Sequence, residues 1–150
     1  MKYSVLVKSL KEPASKVEIG SINDVINSLE EFEVAAVFMH KSGITDEEKV
    51  AHIKTFAKET FISIYSTIRA MSAEKVDSLA TTLDRKNHDY GNSFDKVVDK
   101  YGDVGMSIRI SDKLSRIKQL TKTNNQEVND ESVEDTLIDS LGYLALIINY

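Results

Sequence analysis

With 150 residues and a single proline, the chain has the length of one domain and a composition that favours long helices, enough to bury a core without covalent staples. Its 24 acidic residues against 19 lysines and arginines leave a net charge of −5, which excludes the broad basic surface that duplex nucleic acid binding relies on. The absence of cysteine excludes disulfides, thiolate metal sites and a cysteine nucleophile.

The first 20 residues carry the weakest helical pattern. Ser4 to Val7 and Lys16 to Ile19 are short stretches containing β-branched residues, separated by the turn-like Glu12, Pro13, Ala14 and Ser15, and they predict a small hairpin. The apolar run among them is only Val5, Leu6 and Val7, too short for a signal peptide. No stretch approaches the roughly 20 apolar residues of a membrane span. A soluble, cytoplasmic protein is expected.

From Ser21, residues Ile22, Val25, Ile26, Leu29 and Phe32 keep helical spacing, with Ser21 or Asn23 as cap. The apolar run Val34–Met39 fits either a continuation of that helix or a buried strand. After the break at Lys41, Ser42 and Gly43, Thr45 and Glu48 have the spacing of a capping box. A long helix follows with an apolar stripe through Val50, Ile53, Ala57, Phe61, Ile64, Tyr65, Ile68 and Met71. Ser72 is positioned to cap another helix, which gives way at RKNHDYGNSF, where Asn87, Asp89, Gly91 and Asn92 favour turns. A short segment from Ser93 to Lys100 stops at Gly102. Two further helices are predicted, one over about 104–120 and a terminal one from Val133 to Ile148, joined by the polar loop KTNNQEVND. The fold expected is mainly α, a helical bundle with a small N-terminal β element, organised as one domain.

Three polar clusters interrupt this pattern. One surrounds the DYG turn: Lys86, Asn87, His88, Asp89 and Tyr90 before it, Asn92, Ser93 and Phe94 after it. Arg109, Asp112, Lys113 and Arg116 share one face of a helix. Glu134, Asp135, Asp139 and Tyr143 lie on the last helix, the final three aligned at four-residue spacing. Taken separately, a basic stripe and an acidic stripe describe an interhelical salt-bridge network, and acidic residues are favoured in any first turn. Taken together, they describe a nucleotide pocket. Arginine forks fit phosphate oxygens, aromatic rings such as Tyr90, Phe94 and Tyr143 stack on a base, and carboxylates one turn apart can hold Mg²⁺. His40, His52 and His88 do not share metal-ligand spacing, and no P-loop or dinucleotide glycine pattern occurs.

The three ordered blocks RKNHDYGNSFDK, IRISDKLSRIKQL and NDESVEDTLIDSLGYLAL resemble the nucleotide modification associated domain family of phages and prophages, over about residues 73–150. The resemblance implies an all-helical core and a role involving nucleotides, and it directs attention to Lys86, Asp89, Tyr90, Gly91, Phe94, Arg109, Asp112, Lys113, Arg116, Glu134, Asp135, Asp139 and Tyr143. It implies no particular reaction. Residues 1–72 lie outside it and would form an N-terminal extension. The last helix is also similar to MazG-type all-helical nucleotide pyrophosphatases, with Asp139 and Tyr143 in the manner of a second metal-binding pair. The first pair of that pattern, E-x-x-E, is absent from the Arg109–Arg116 helix, although Glu30 and Glu33 have the spacing upstream.

Three functions are consistent with these residues. The first is a Mg²⁺-dependent nucleotide phosphohydrolase, in which Glu134, Asp135 and Asp139 hold the metal. Asp89 or Asp112 would position water, and Lys86, Asn92, Arg109, Lys113 and Arg116 would contact the ligand with Tyr90, Phe94 and Tyr143. The second is a non-enzymatic binder that sequesters a nucleotide signal, an anti-defence role, acting in the host cytoplasm if phage-encoded. The third is a protein-interaction domain whose charges are all salt bridges. A homo-oligomer is expected in each case.

Overall fold

The computed structural model describes residues 1–90, 92–122 and 132–150. Those residues form seven helices: α1 (Tyr3–Ser15), α2 (Ile22–Lys41), α3 (Asp46–Met71), α4 (Ala73–Tyr90), α5 (Ser93–Tyr101), α6 (Asp103–Lys122) and α7 (Val133–Asn149). No strand occurs among the described residues. None of the helices is long and apolar enough to cross a membrane.

The N-terminal hairpin expected from the sequence is not formed. Tyr3, Leu6, Val7, Leu10 and Ala14 are all buried, and their spacing is a helical stripe that outweighs the β-branched content of the segment. Pro13 lies inside the last turn of α1, where the interruption it makes falls within two residues of the helix end. Lys16 to Ile19 then connect to α2 without regular structure. The Gly20 amide of this connection donates to Thr67 Oγ1 of α3 at 2.9 Å.

Helix α1 has no side-chain cap of its own, because Lys2 occupies its N-cap position. Asp84, projecting from α4, supplies the cap. The Tyr3 amide donates to its Oδ1 at 2.6 Å and the Ser4 amide to its Oδ2 at 3.1 Å. Burial pushes the Asp84 carboxyl up, but the hydrogen bonds from Ser4 and Tyr3 outweigh it and hold the group below the usual carboxylate range. A carboxylate with a depressed folded-state pKa contributes stability above its unfolded pKa and loses it as the pH falls through the folded value. Asp84→Ala is therefore expected to cost about 1 kcal/mol at neutral pH, the usual worth of a cap. In chemical denaturation of both proteins, the gap between them should close as the pH drops below the carboxylate range.

Both expected capping signals in the next two helices are realised. Ser21 and Asp24 form a reciprocal capping box at α2, and Thr45 and Glu48 form another at α3. The apolar run Val34–Met39 prolongs α2 rather than forming a strand. Helix α3 is the hub of the bundle, packing against α1, α2, α4, α6 and α7. Its Ile53, Ala57, Phe61, Ile64, Tyr65 and Ile68 are buried along the predicted stripe. Tyr65 stacks on Phe61 with ring centroids 5.4 Å apart.

The second half of the chain closes the bundle. Helix α6 buries Met106, Ile110, Leu114 and Ile117, and α7 buries Leu137, Leu141, Leu144, Ala145 and Ile147, consistent with the apolar patterns of these segments. Helix α5 ends at Gly102, whose φ of 71° lies in the left-handed region that glycine tolerates without strain. Helix α4 runs through RKNHDY to Tyr90 and so extends further into that motif than its turn-forming residues suggest, with α5 beginning at Ser93. The polar loop KTNNQEVND falls at its first residue on the end of α6 and otherwise outside the described residues.

Candidate functional site

The last turns of α4, the first half of α5, the start of α6 and the end of α7 line a cleft of about 330 Å³, near the lower end of the volumes that small-molecule sites occupy. Its apolar floor is Leu83, Val97 and Leu146. Gly105 completes that floor because α5 presses against it. A Cβ there would stand 3.2 Å from the Val97 carbonyl oxygen and 3.3 Å from Val97 Cγ1, so a larger residue would push α5 and α6 apart.

The walls combine aromatic rings with cations. Phe94 and Tyr143 face the cleft from α5 and α7, and Lys86 and Arg109 face it from α4 and α6, with Asn87 and Ser93 as uncharged polar groups. Lys113 stands one turn after Arg109. Its Nζ lies 5.9 Å from the centroid of the Tyr143 ring and 3.4 Å from Asp139 Oδ2, with only 14% of its side chain exposed. Three cations thus gather about one aromatic-lined cleft in a protein whose net charge is −5. No carboxylate occurs among the described lining residues.

Of the residues singled out in the sequence, Lys86, Asn87, Ser93, Phe94, Arg109 and Tyr143 line the cleft directly. Asn92 is exposed, in the left-handed conformation with φ 59°, and it sits at the N-cap of α5 without a side-chain capping bond. Asp89 is exposed, its Oδ1 3.4 Å from His88 Nδ1. Asp112 and Arg116 are exposed on α6 outside the cleft lining. The Tyr90 side chain and Gly91 lie outside the described residues. Leu83, Val97, Gly105 and Leu146 went unnoticed in the sequence, where they read as core or as a small residue in a helix.

The acidic cluster on α7 divides. Asp135 accepts a hydrogen bond from Lys75 Nζ at 2.8 Å, and its own amide is capped by Ser132 Oγ at 3.1 Å. The lysine contact, with help from Ser132, holds the Asp135 carboxyl below its usual range, and the same contact raises Lys75. Asp139, one turn on, faces Lys113 instead. Glu134 is half-buried and lies close enough to Lys75 to raise it further. Glu30 is committed to Lys118 at 2.7 Å, on α2 and away from the cleft. Among the described residues no three acidic or histidine side chains gather at metal-binding distance. Lys75 and Lys113 thus each stand against one oxygen of the two carboxylates, Asp135 and Asp139, that the sequence offers as Mg²⁺ ligands.

Comparison with known proteins bears on the same half of the chain. Residues 86–149 match the family model described as nucleotide modification associated domain 1. The family resemblance drawn from the three sequence blocks is shown over that segment, which contains Lys86, Phe94, Arg109, Lys113 and Tyr143. No curated protein and no solved structure matches the chain.

Proposed function

We propose that the segment matching nucleotide modification associated domain 1 makes this chain a nucleotide-binding protein whose site is the cleft between α4, α5, α6 and α7. The observation that carries this reading is the meeting of Lys86, Arg109, Phe94 and Tyr143, residues up to 57 positions apart in sequence, around one cavity. A nucleotide has a π face and an anionic tail. Phe94 and Tyr143 supply a stacking surface, and the Arg109 guanidinium with the Lys86 and Lys113 ammoniums supplies charge-assisted donors for phosphate oxygens.

Binding without conversion is the reading favoured over hydrolysis. A phosphohydrolase is served by a carboxylate or histidine that activates water, and the described cleft lining has Asn87, Ser93 and Tyr143 as its uncharged polar groups but neither of those. Asp135, a metal-ligand candidate in the sequence, is instead an N-terminal residue of α7 tied to Lys75. Sequestration of a nucleotide or nucleotide-derived signal requires only the cavity, the rings and the cations.

The test is a thermal-shift screen of the full chain against nucleotides, cyclic nucleotides and ADP-ribose-type compounds, with and without Mg²⁺, followed by chromatography of each stabilising compound. A ligand at one hundred times its Kd adds about 2.7 kcal/mol, which raises the Tm of a chain this size by roughly 5–10 °C. Stabilisation with the compound recovered intact supports the binder. Turnover would replace it with an enzyme, and no shift by any compound would reject nucleotide binding. Asp135→Asn separates the two further. It should leave ligand affinity within about twofold while removing an exposed ion pair worth about 0–1 kcal/mol. A large loss of affinity, present only with Mg²⁺, would restore the metal reading.

A further inference from the structure

Helix α2 is apolar on two sides. Val25, Leu29, Phe32 and Ala36 face the core, yet Val34 and Phe38, on the opposite side, are each 68% exposed and Val37 is 46% exposed. The antiparallel pairing of α2 with α6, fixed by His40 beside Asp103 and Glu30 beside Lys118, brings Val104 and Ile108 level with Val37. Ile108 is 56% and Val104 36% exposed. Together these side chains expose roughly 500 Å², in the upper range for the largest apolar patch of a monomer, and two such faces approach the ~1,000 Å² at which specific interfaces begin. None of these residues lies in the nucleotide cleft.

We infer that the outer face of α2, centred on Val34 and Phe38, is a self-association surface on which a second copy of this chain docks its own α2 in antiparallel register. The occupant follows from self-complementarity. Asn27, Glu31, Val34, Phe38 and Lys41 recur at alternating spacings of four and three, the seam of paired helices. A two-fold axis midway between Val34 and Phe38 sets each Val34 against Phe38 of the other copy. The same axis sets each Glu31 against Lys41 of the other copy. A two-fold interface demands this reciprocity. Glu31 and Lys41 are both exposed and form no ion pair with another described residue, so each is available for the opposite charge. The inference stands apart from the nucleotide reading, because it uses α2 and the outer side of α6 rather than the cleft.

Sedimentation equilibrium of the full chain over a range of concentrations tests it. The expected result is a monomer–dimer equilibrium. Phe38→Glu should weaken the dimer roughly thirtyfold or more, as loss of a central aromatic anchor does, while far-ultraviolet circular dichroism remains that of the helical fold. Glu31→Lys and Lys41→Glu should each weaken association, and the two combined in one chain should restore it. A monomeric mass at every concentration would overturn the inference, as would a dimer indifferent to Phe38→Glu or charge reversals that do not rescue one another. If the face instead serves a lipid or another protein, the first of these outcomes will appear.

Discussion

Arg109→Ala is expected to weaken binding of a stabilising nucleotide by roughly ten- to a hundredfold, the 1.5–3 kcal/mol that a hydrogen bond to a charged group contributes. Arg109 lines the cleft from α6 but its side chain is exposed, so its removal leaves no buried group unpaired and no cavity. Folding stability should change by less than about 0.5 kcal/mol. Isothermal titration against the ligand and a denaturant melt of the same sample separate the two quantities. Arg109→Lys should recover part of the affinity, since it retains the charge but not the two-pronged geometry. Lys86→Ala should show a smaller loss, because Lys86 is exposed and carries a point charge on a flexible stem. If Arg109→Ala binds as tightly as the parent, the cleft is not the phosphate site.

The largest stability effect is expected at Phe61. Its side chain is fully buried at the middle of α3, the helix that touches five others, and it stacks on Tyr65. Truncating a buried phenylalanine to alanine removes transfer free energy and leaves a void that helices held on several sides cannot close. Phe61→Ala should therefore cost about 3–5 kcal/mol, or roughly 6–20 °C in Tm, a large share of the 5–15 kcal/mol that holds an ordinary domain. A calorimetric melt with a shift under a few degrees would show that the α3 hub can repack. Retained nucleotide binding below the lowered Tm would show that the core and the cleft are energetically separable.

The helices were largely legible because their signals are local. Thr45 with Glu48 and Ser21 with Asp24 both act as capping pairs, and the stripe through α3 is buried from Ile53 to Ile68 at the predicted spacing. The N-terminal segment was misread for a physical reason. Its helix lacks a capping residue of its own and takes one from Asp84, 81 positions away from Tyr3, which no local pattern contains. Pro13 looked like a turn but falls where the α1 ladder is already ending.

The candidate site was legible only as separate parts. Lys86, Phe94, Arg109 and Tyr143 stood out as polar or aromatic residues in otherwise regular segments, and the fold brings them around one cavity. Its floor was hidden, because Leu83, Val97 and Leu146 are indistinguishable in sequence from core leucines and valines, and the small size of Gly105 matters only against Val97. The partners of the acidic cluster were hidden as well. Asp135 and Asp139 share a helix face, but helical spacing says nothing of Lys75 and Lys113 on neighbouring helices, each of which claims one carboxylate.

Whether the cleft receives the nucleotide is read out by a backbone and side-chain chemical-shift titration of isotope-labelled protein with a compound that stabilises it. The largest perturbations should fall on residues 83–87, 93–97, 105–113 and 143–146, with Phe94 and Tyr143 ring signals moved by stacking. Perturbations confined to α1, α2 or α3, with those residues unmoved, would contradict binding in the cleft.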